Sequence, residues 1–67
     1  MNKVDFLRKM YPVGCKIELH FMDDPQAPPS GTLGTVTWVD DIGQINVKWE
    51  NGSSLALNVK LDSFSRI

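Results

Sequence analysis

The chain has 67 residues, and its seven basic and eight acidic side chains give a formal net charge of −1. This length makes one domain near the lower limit for a chain that must bury its own core, which disfavours a deep active-site cleft. The near-neutral charge lacks the basic excess that is typical of proteins that bind duplex DNA.

Charge and cysteine content give expectations about the setting of the protein. Residues 1–16 carry four basic side chains against one acid, whereas residues 17–67 carry three against seven. We interpret the basic end as a solvated helix face. Cys15 is the single cysteine, so no internal disulfide can form. Residues 1–10 lack the apolar core of a signal peptide, and no apolar run approaches the ~18 residues of a membrane span. We therefore expect a cytoplasmic location and no membrane partner.

Residues 2–10 are predicted to form a short helix. Asn2 is a favourable N-cap, and Asp5 places negative charge in the first turn. Val4, Leu7 and Tyr11 make an apolar stripe, with Phe6 and Met10 beside it; Pro12 ends the helix. A helix this short must dock its stripe on another element, and we expect it to be a lid on the open end of a barrel.

Residues 15–21 alternate between apolar and polar side chains, which indicates a half-buried strand. Cys15 and Phe21 are on the inward phase of this strand, and His20 is on the outward phase. Residues 22–31 contain three prolines, which exclude a central strand and predict a stiff loop. So long a loop in a small domain is either functional or packed on itself.

Three further strands are predicted at residues 32–39, 44–49 and 54–58. They are joined by turn signals at residues 40–43 and 50–53. The Asn51-Gly52 pair predicts a tight hairpin whose central residues both have positive φ. Gly34 interrupts the first of these strands and predicts a bulge or a close backbone approach. Residues 59–67 are less regular and are compatible with a last short strand or with a helical turn before one.

This order predicts a mainly β fold, namely a small SH3-like barrel of four to five strands with a short N-terminal helix. The domain spans residues 1–67, with the helix at residues 2–10 and the barrel at residues 12–67. The short strands are joined by tight turns, and the sequence has no repeat and no linker, which favours one domain.

The orientation of Trp38 depends on whether the strand is regular. If Val36 is inside and the pairing is regular, Trp38 is inside too. If a bulge near Gly34 or Thr37 shifts the phase, Val39 is inside and Trp38 is outside. Two tryptophans are hard to bury in a core this small, so we expect Trp38 to be partly exposed and the other large aromatics to face inward. These inward aromatics are Phe21, Trp49 and Phe64.

The chain resembles a bacterial and phage family termed domain of unknown function 4314. The resemblance rests on YPVG (11–14), MDDPQAPP (22–29), GTLGTV (31–36), VDDIG (39–43) and VKWENGSSL (47–55), so it covers nearly the whole chain. It implies a small bacterial domain near phage genes or mobile elements and implies no activity. More loosely, the segments around residues 34–36 and 47–53 look like the core pattern of SH3-like modules that bind proteins or peptides.

Catalytic and metal-binding chemistry is not indicated, and we expect no enzyme, no metal and no cofactor. His20 has no partner residue nearby in the pattern, and Cys15 is on the opposite face of its strand. The acid pairs Asp23-Asp24 and Asp40-Asp41 match no calcium-binding loop, and aspartate is common in turns.

The remaining interpretation is a protein-interaction module. We expect Asp23, Asp24, Trp38, Asp40 and Asp41 to share a surface that receives a basic or extended peptide. The alternative is a nucleic-acid-binding accessory protein of a phage or mobile element, which the shortage of basic residues makes the weaker choice. A monomer or a weak homodimer fits a small sheet with an exposed edge strand.

Overall fold

A computed structural model describes residues 3–67. The N-terminal helix α1 spans Lys3–Met10, and Leu7 is its buried residue. The expected N-cap Asn2 lies outside the described residues. The amide of Tyr11 donates to the carbonyl of Leu7 at 2.8 Å, and the helix ends there because Pro12 follows.

Five antiparallel strands form one sheet in the order β4-β3-β2-β1-β5. The strands are β1 (Lys16–Phe21), β2 (Leu33–Val39), β3 (Gln44–Trp49), β4 (Leu57–Asn58) and β5 (Ser63–Arg66). The first three agree with the predicted strands to within one residue, since alternating burial defines each of them. Residues 59–67 contain both predicted features, since a hydrogen-bonded turn at residues 58–62 precedes the short strand β5.

β4 is shorter than predicted because the chain before it wraps around a tryptophan. The indole Nε1 of Trp49 donates to the carbonyl of Leu55 at 2.9 Å, and its amide donates to the carbonyl of Ser53 at 2.8 Å. Residues 53–56 therefore arch over the Trp49 ring, and only Leu57–Asn58 pair with β3.

The turns on either side of β3 are at the predicted positions, but the turn at Asn51-Gly52 is not of the predicted type. Gly52 has a φ of 91° and Gly43 a φ of 85°, and no non-glycine residue among residues 3–67 has a positive φ. Each glycine amide donates to a carbonyl three residues earlier, at Trp49 and Asp40 respectively. The expected two-residue turn with Asn51 at positive φ is therefore wrong. Both loops have three residues, and only the third needs positive φ.

The core lies on one face of the sheet and is closed by Leu7 of α1. Its ten buried hydrophobic residues are Leu7, Ile17, Leu19, Met22, Val36, Val39, Ile45, Val47, Trp49 and Leu57. Trp49 is inward as expected, and Phe64 is half-buried against the core. Cys15, expected in the core, is likewise half-buried at its margin.

The prediction for Phe21 is wrong, because its side chain is 60% exposed. The register of β1 against β5 shifts between Leu19 and Phe21, so His20 is an extra residue. The shift moves the inward phase from Phe21 to Met22, which is buried.

The sheet is strongly curled, but it is not closed into a barrel. In a flat sheet β4 and β5 would be roughly 19 Å apart, at about 4.8 Å for each of four inter-strand spacings. A single turn nevertheless joins them, since the Asp62 amide donates to the Asn58 carbonyl at 2.9 Å. Within residues 3–67 the two strands are the edges of the sheet and do not pair. The mainly β fold is confirmed, whereas the SH3-like barrel is not.

Candidate functional site

A bulge in β2 holds Trp38 at the surface. Val36 is paired with Val47 and Trp38 with Asn46, so Thr37 is the extra residue between them. Val36 and Val39 are both buried, while the side chain of Trp38 is 52% exposed. The hydroxyl of Thr37 donates to the carbonyl of Asn46 at 3.1 Å, which satisfies a backbone group at the irregularity. The prediction of a partly exposed Trp38 is confirmed.

Trp38 lies between two shallow grooves of different character. One groove, of about 370 Å³, is lined by apolar parts of the α1–β1 connection, including Pro12 and the exposed Val13. The other, of about 420 Å³, also has apolar surface but includes several polar side chains, among them Asn46 and Lys48. We call Trp38 together with these two grooves the tryptophan surface. It offers an aromatic ring with an apolar side and a hydrogen-bonding side.

Asp40 and Asp41, which follow β2, make different kinds of contact. One carboxylate oxygen of Asp40 accepts from the amides of Ile42 and Gln44, at 3.2 and 2.9 Å. The other accepts from the side-chain amide of Asn46 at 3.4 Å, so Asp40 holds the turn together. The carboxylate of Asp41 is 94% exposed and forms an ion pair with Arg8 at 3.0 Å. An exposed pair of this kind contributes about 0–1 kcal/mol, so Asp41 can exchange partners readily.

The other predicted acids lie at the opposite end of the β1–β2 ladder. Asp23 and Asp24 follow the end of β1, which is beside the start of β2, whereas Trp38 is near the end of β2. Five residues of strand, about 16 Å at ~3.3 Å per residue, separate Leu33 from Trp38. Neither acid lines the grooves beside Trp38. Asp40 and Asp41 do not line these grooves either, but each contacts a residue that does, since Asp40 accepts from Asn46 and Asp41 pairs with Arg8. Asp23 and Asp24 have no such link to the tryptophan surface among the described contacts.

The loop that carries Asp23 and Asp24 is packed on itself. The carboxylate of Asp24 accepts from the amide of Gln26 at 2.7 Å, and its carbonyl accepts from the amide of Ala27 at 3.0 Å. Met22 and Pro28 are buried, so they anchor both sides of the loop. The two carboxylates are exposed on a rigid support.

His20 and Cys15 lie apart, as expected from their strand phases. The Nε2 atom of His20 is 2.9 Å from the hydroxyl of Ser65 on the exposed face. The thiol of Cys15 lies 3.6 Å from the carbonyl of Lys16. In the part of the chain that the structure describes, no three His, Cys, Asp or Glu side chains are grouped in a way that could hold a metal ion.

Sequence reasoning missed an apolar groove beside α1, which we call the helix groove. It has a volume of about 490 Å³, and its main lining residues are Phe6, Met10, Tyr11, Val59, Ser63 and Phe64. The rings of Tyr11 and Phe64 pack with centroids 5.4 Å apart. The available signal was the position of Phe6 and Met10 beside the buried stripe of α1, because a helix so short buries only one narrow face.

Comparison with known proteins gives one match. A family model described as Domain of unknown function (DUF4314) matches residues 1–67, the whole chain. No curated protein and no solved structure is significantly similar to the chain. None of the helices in residues 3–67 has the length and apolar character needed to span a membrane.

Proposed function

Because the chain belongs to the DUF4314 family, whose description states no function, we propose a function from its surface: it is a cytoplasmic, non-enzymatic protein-interaction module. Its contact site is the tryptophan surface. The observation that carries this proposal is the half-exposed indole of Trp38, held outward by a bulge between two buried valines.

The energetics favour Trp38 as the anchor of an interface. Tryptophan is enriched among the few interface residues that dominate binding, where truncation costs about 2 kcal/mol or more. The backbone of Trp38 is already fixed by pairing with Asn46, so binding orders little of the chain. The free energy gained by burying the exposed half of the ring is therefore offset little by the cost of ordering the chain, and most of it increases the affinity.

The surroundings of Trp38 favour an extended segment that carries a basic residue. An apolar side chain of the partner can occupy the groove beside Pro12 and Val13. A basic side chain can contact the exposed carboxylate of Asp41, which has more acceptor sites than its pair with Arg8 uses. Asp23 and Asp24 have no part in this contact, because they lie at the other end of the β1–β2 ladder.

A quantitative binding comparison tests the proposal. Wild-type, Trp38→Ala and Ile67→Ala chains are used to capture partners from the native host, and the partner is then purified and titrated against each chain. We expect Trp38→Ala to weaken binding at least tenfold. Ile67→Ala is the control, since it removes a large apolar side chain that is 65% exposed and lines neither groove beside Trp38, and it should bind as the wild type does. Equal affinity of the wild-type and Trp38→Ala chains would exclude the tryptophan surface.

One observation favours nucleic acid as the second candidate partner. Lys16, Thr35 and Lys48 form a row across three strands, and Lys48 lines the same groove as Trp38. Basic side chains next to an aromatic ring suit single strands. The exposed Glu50 and half-buried Glu18 lie on either side of Leu33 in the next row and oppose a polyanion.

Oligonucleotide titration decides between the two partners. Labelled single- and double-stranded oligonucleotides are titrated at several salt concentrations. Micromolar affinity with a steep salt dependence, lost in Lys16→Ala/Lys48→Ala, would favour nucleic acid over protein.

A further inference from the structure

The helix groove is the centre of an apolar patch. Phe6 and Met10 on one wall are 55% and 40% exposed. Leu61, which precedes the lining residue Asp62 but does not line the groove itself, is 73% exposed. Exposed large apolar side chains at a concave site are typical of an interaction surface. This patch is distinct from the tryptophan surface, since the two grooves beside Trp38 share only Tyr11 with the helix groove.

The rim of the helix groove is basic. Lys3 lines the groove, and Lys60 lines the adjoining cleft together with Lys3 and with Asp41, which is paired with Arg8. Solvent loss and the neighbouring charge of Lys60 lower the pKa of Lys3. At the other end of α1, the guanidinium of Arg66 donates to the carbonyl of Met10 at 2.7 Å. The one acid in the groove lining, Asp62, is engaged by the amide of Asn58 at 2.8 Å. The rim therefore favours an acidic occupant.

The end of β1, the strand that pairs with β5, carries side chains that are complementary to the helix groove in charge and polarity. Phe21 is 60% exposed, and the exposed carboxylates of Asp23 and Asp24 follow it. We call these three residues the acidic knob. Phe21 is paired with Ser63, which itself lines the helix groove. The knob and the groove are therefore adjacent in the molecule.

We propose that the occupant of the helix groove is the acidic knob of a second copy of this chain, in a two-fold symmetric dimer. Because knob and groove are adjacent, one two-fold axis places each knob in the groove of the other copy, and the contact closes on itself. Phe21 of each copy supplies the apolar anchor. Asp23 and Asp24 face Lys3 and Lys60 of the other copy.

The size of the chain indicates a weak, reversible dimer. Interfaces at the low end of the stable range bury about 600 Å² on each partner. The whole chain exposes 4295 Å², so such a contact covers roughly one seventh of it. The charged rim is solvent-accessible, so the dissociation constant should rise with salt.

Charge reversal on the two halves of the contact tests the proposal. Sedimentation velocity is measured up to high micromolar concentrations for the wild type, for Lys3→Glu/Lys60→Glu and for Asp23→Lys/Asp24→Lys. We expect a concentration-dependent dimer for the wild type and at least tenfold weaker association for each variant. An equimolar mixture of the two variants should dimerise again, because each groove then meets a knob of opposite charge.

Controls separate this contact from other effects. Lys16→Glu/Lys48→Glu makes the same charge change on the outer face of the sheet and should dimerise as the wild type does, and so should Trp38→Ala. Circular dichroism confirms that every variant is folded. A wild type that stays monomeric throughout, or two monomeric variants whose mixture fails to dimerise, would overturn the proposal and would leave the tryptophan surface unaffected.

Discussion

Gly34 is the residue that lets β2 approach the largest buried side chain. It is paired with Trp49, whose indole lies against the backbone of the glycine. A Cβ atom at position 34 would be 2.5 Å from Cγ1 of Val47 and 2.6 Å from Cε3 of Trp49. Sequence reasoning offered a bulge or a close approach at this glycine. The close approach is correct here, and the bulge is three residues later.

We predict that Gly34→Ala lowers the free energy of unfolding by about 2 kcal/mol, because the added methyl group overpacks a core that cannot relax easily. Gly52→Ala is the comparison: nothing lies within 4 Å of its added Cβ, and its φ of 91° alone is the source of strain. That variant should lose about 1 kcal/mol. Urea denaturation measures both, and a Gly34→Ala chain as stable as the wild type would contradict the close approach.

At the scale of elements, the positions of the strands were easier to predict from the sequence than the side chains that each strand turns toward the core. β3 agrees with its predicted bounds because its apolar residues strictly alternate. The bulges in β1 and β2 were harder to foresee, since Phe21 and Met22 are both apolar, as are Trp38 and Val39. Either phase then satisfies the hydrophobic pattern, and only pairing with the neighbouring strand decides between them. The distance of Asp23 and Asp24 from Trp38 has a different cause, since the antiparallel pairing of β1 with β2 places the end of β1 beside the start of β2.

The loop between β2 and β3 gives a prediction about the two neighbouring acids. Asp40→Ala should lower the free energy of unfolding by about 1.5 kcal/mol, because the variant loses the acceptor for two turn amides and for Asn46. Asp41→Ala should change it by less than about 0.5 kcal/mol, because the pair with Arg8 is exposed. Thermal unfolding of the two variants at equal concentration compares them. Equal losses would show that Asp40 does not hold the turn.

At the scale of the whole molecule, α1 bridges the two free edges of the curled sheet. Lys3 at the start of the helix lies beside Lys60, which follows β4, and Met10 at its end accepts a hydrogen bond from Arg66 of β5. Sequence reasoning expected the helix to cover an open end and the strands to close into a barrel. The helix does pack on the core through Leu7, but the sheet of residues 3–67 is not a closed barrel with an end for it to cover. The second expectation depended on pairing between β4 and β5, which a strand count alone does not determine.

We predict that Leu7→Ala lowers the free energy of unfolding by about 3 kcal/mol, because Leu7 is the buried residue by which α1 closes the core. Hydrogen exchange should then be faster in β4 and β5 than in the central β2–β3 pair. Phe6→Ala is the control within the same helix, since its side chain is 55% exposed, and it should change stability by less than about 1 kcal/mol. Equal losses for the two variants would mean that α1 is not docked through Leu7.

Because Thr37 is an extra residue in β2, the side chain at position 38 is not part of the core, and the stability of the fold depends little on its identity. Val36 and Val39 fill the interior on either side, so the side chain that follows Thr37 is kept out of the core, as the half-exposed Trp38 is. Under the proposed function, a substitution at this position changes recognition with little penalty to stability. Two members of the family could share one scaffold and still select different partners.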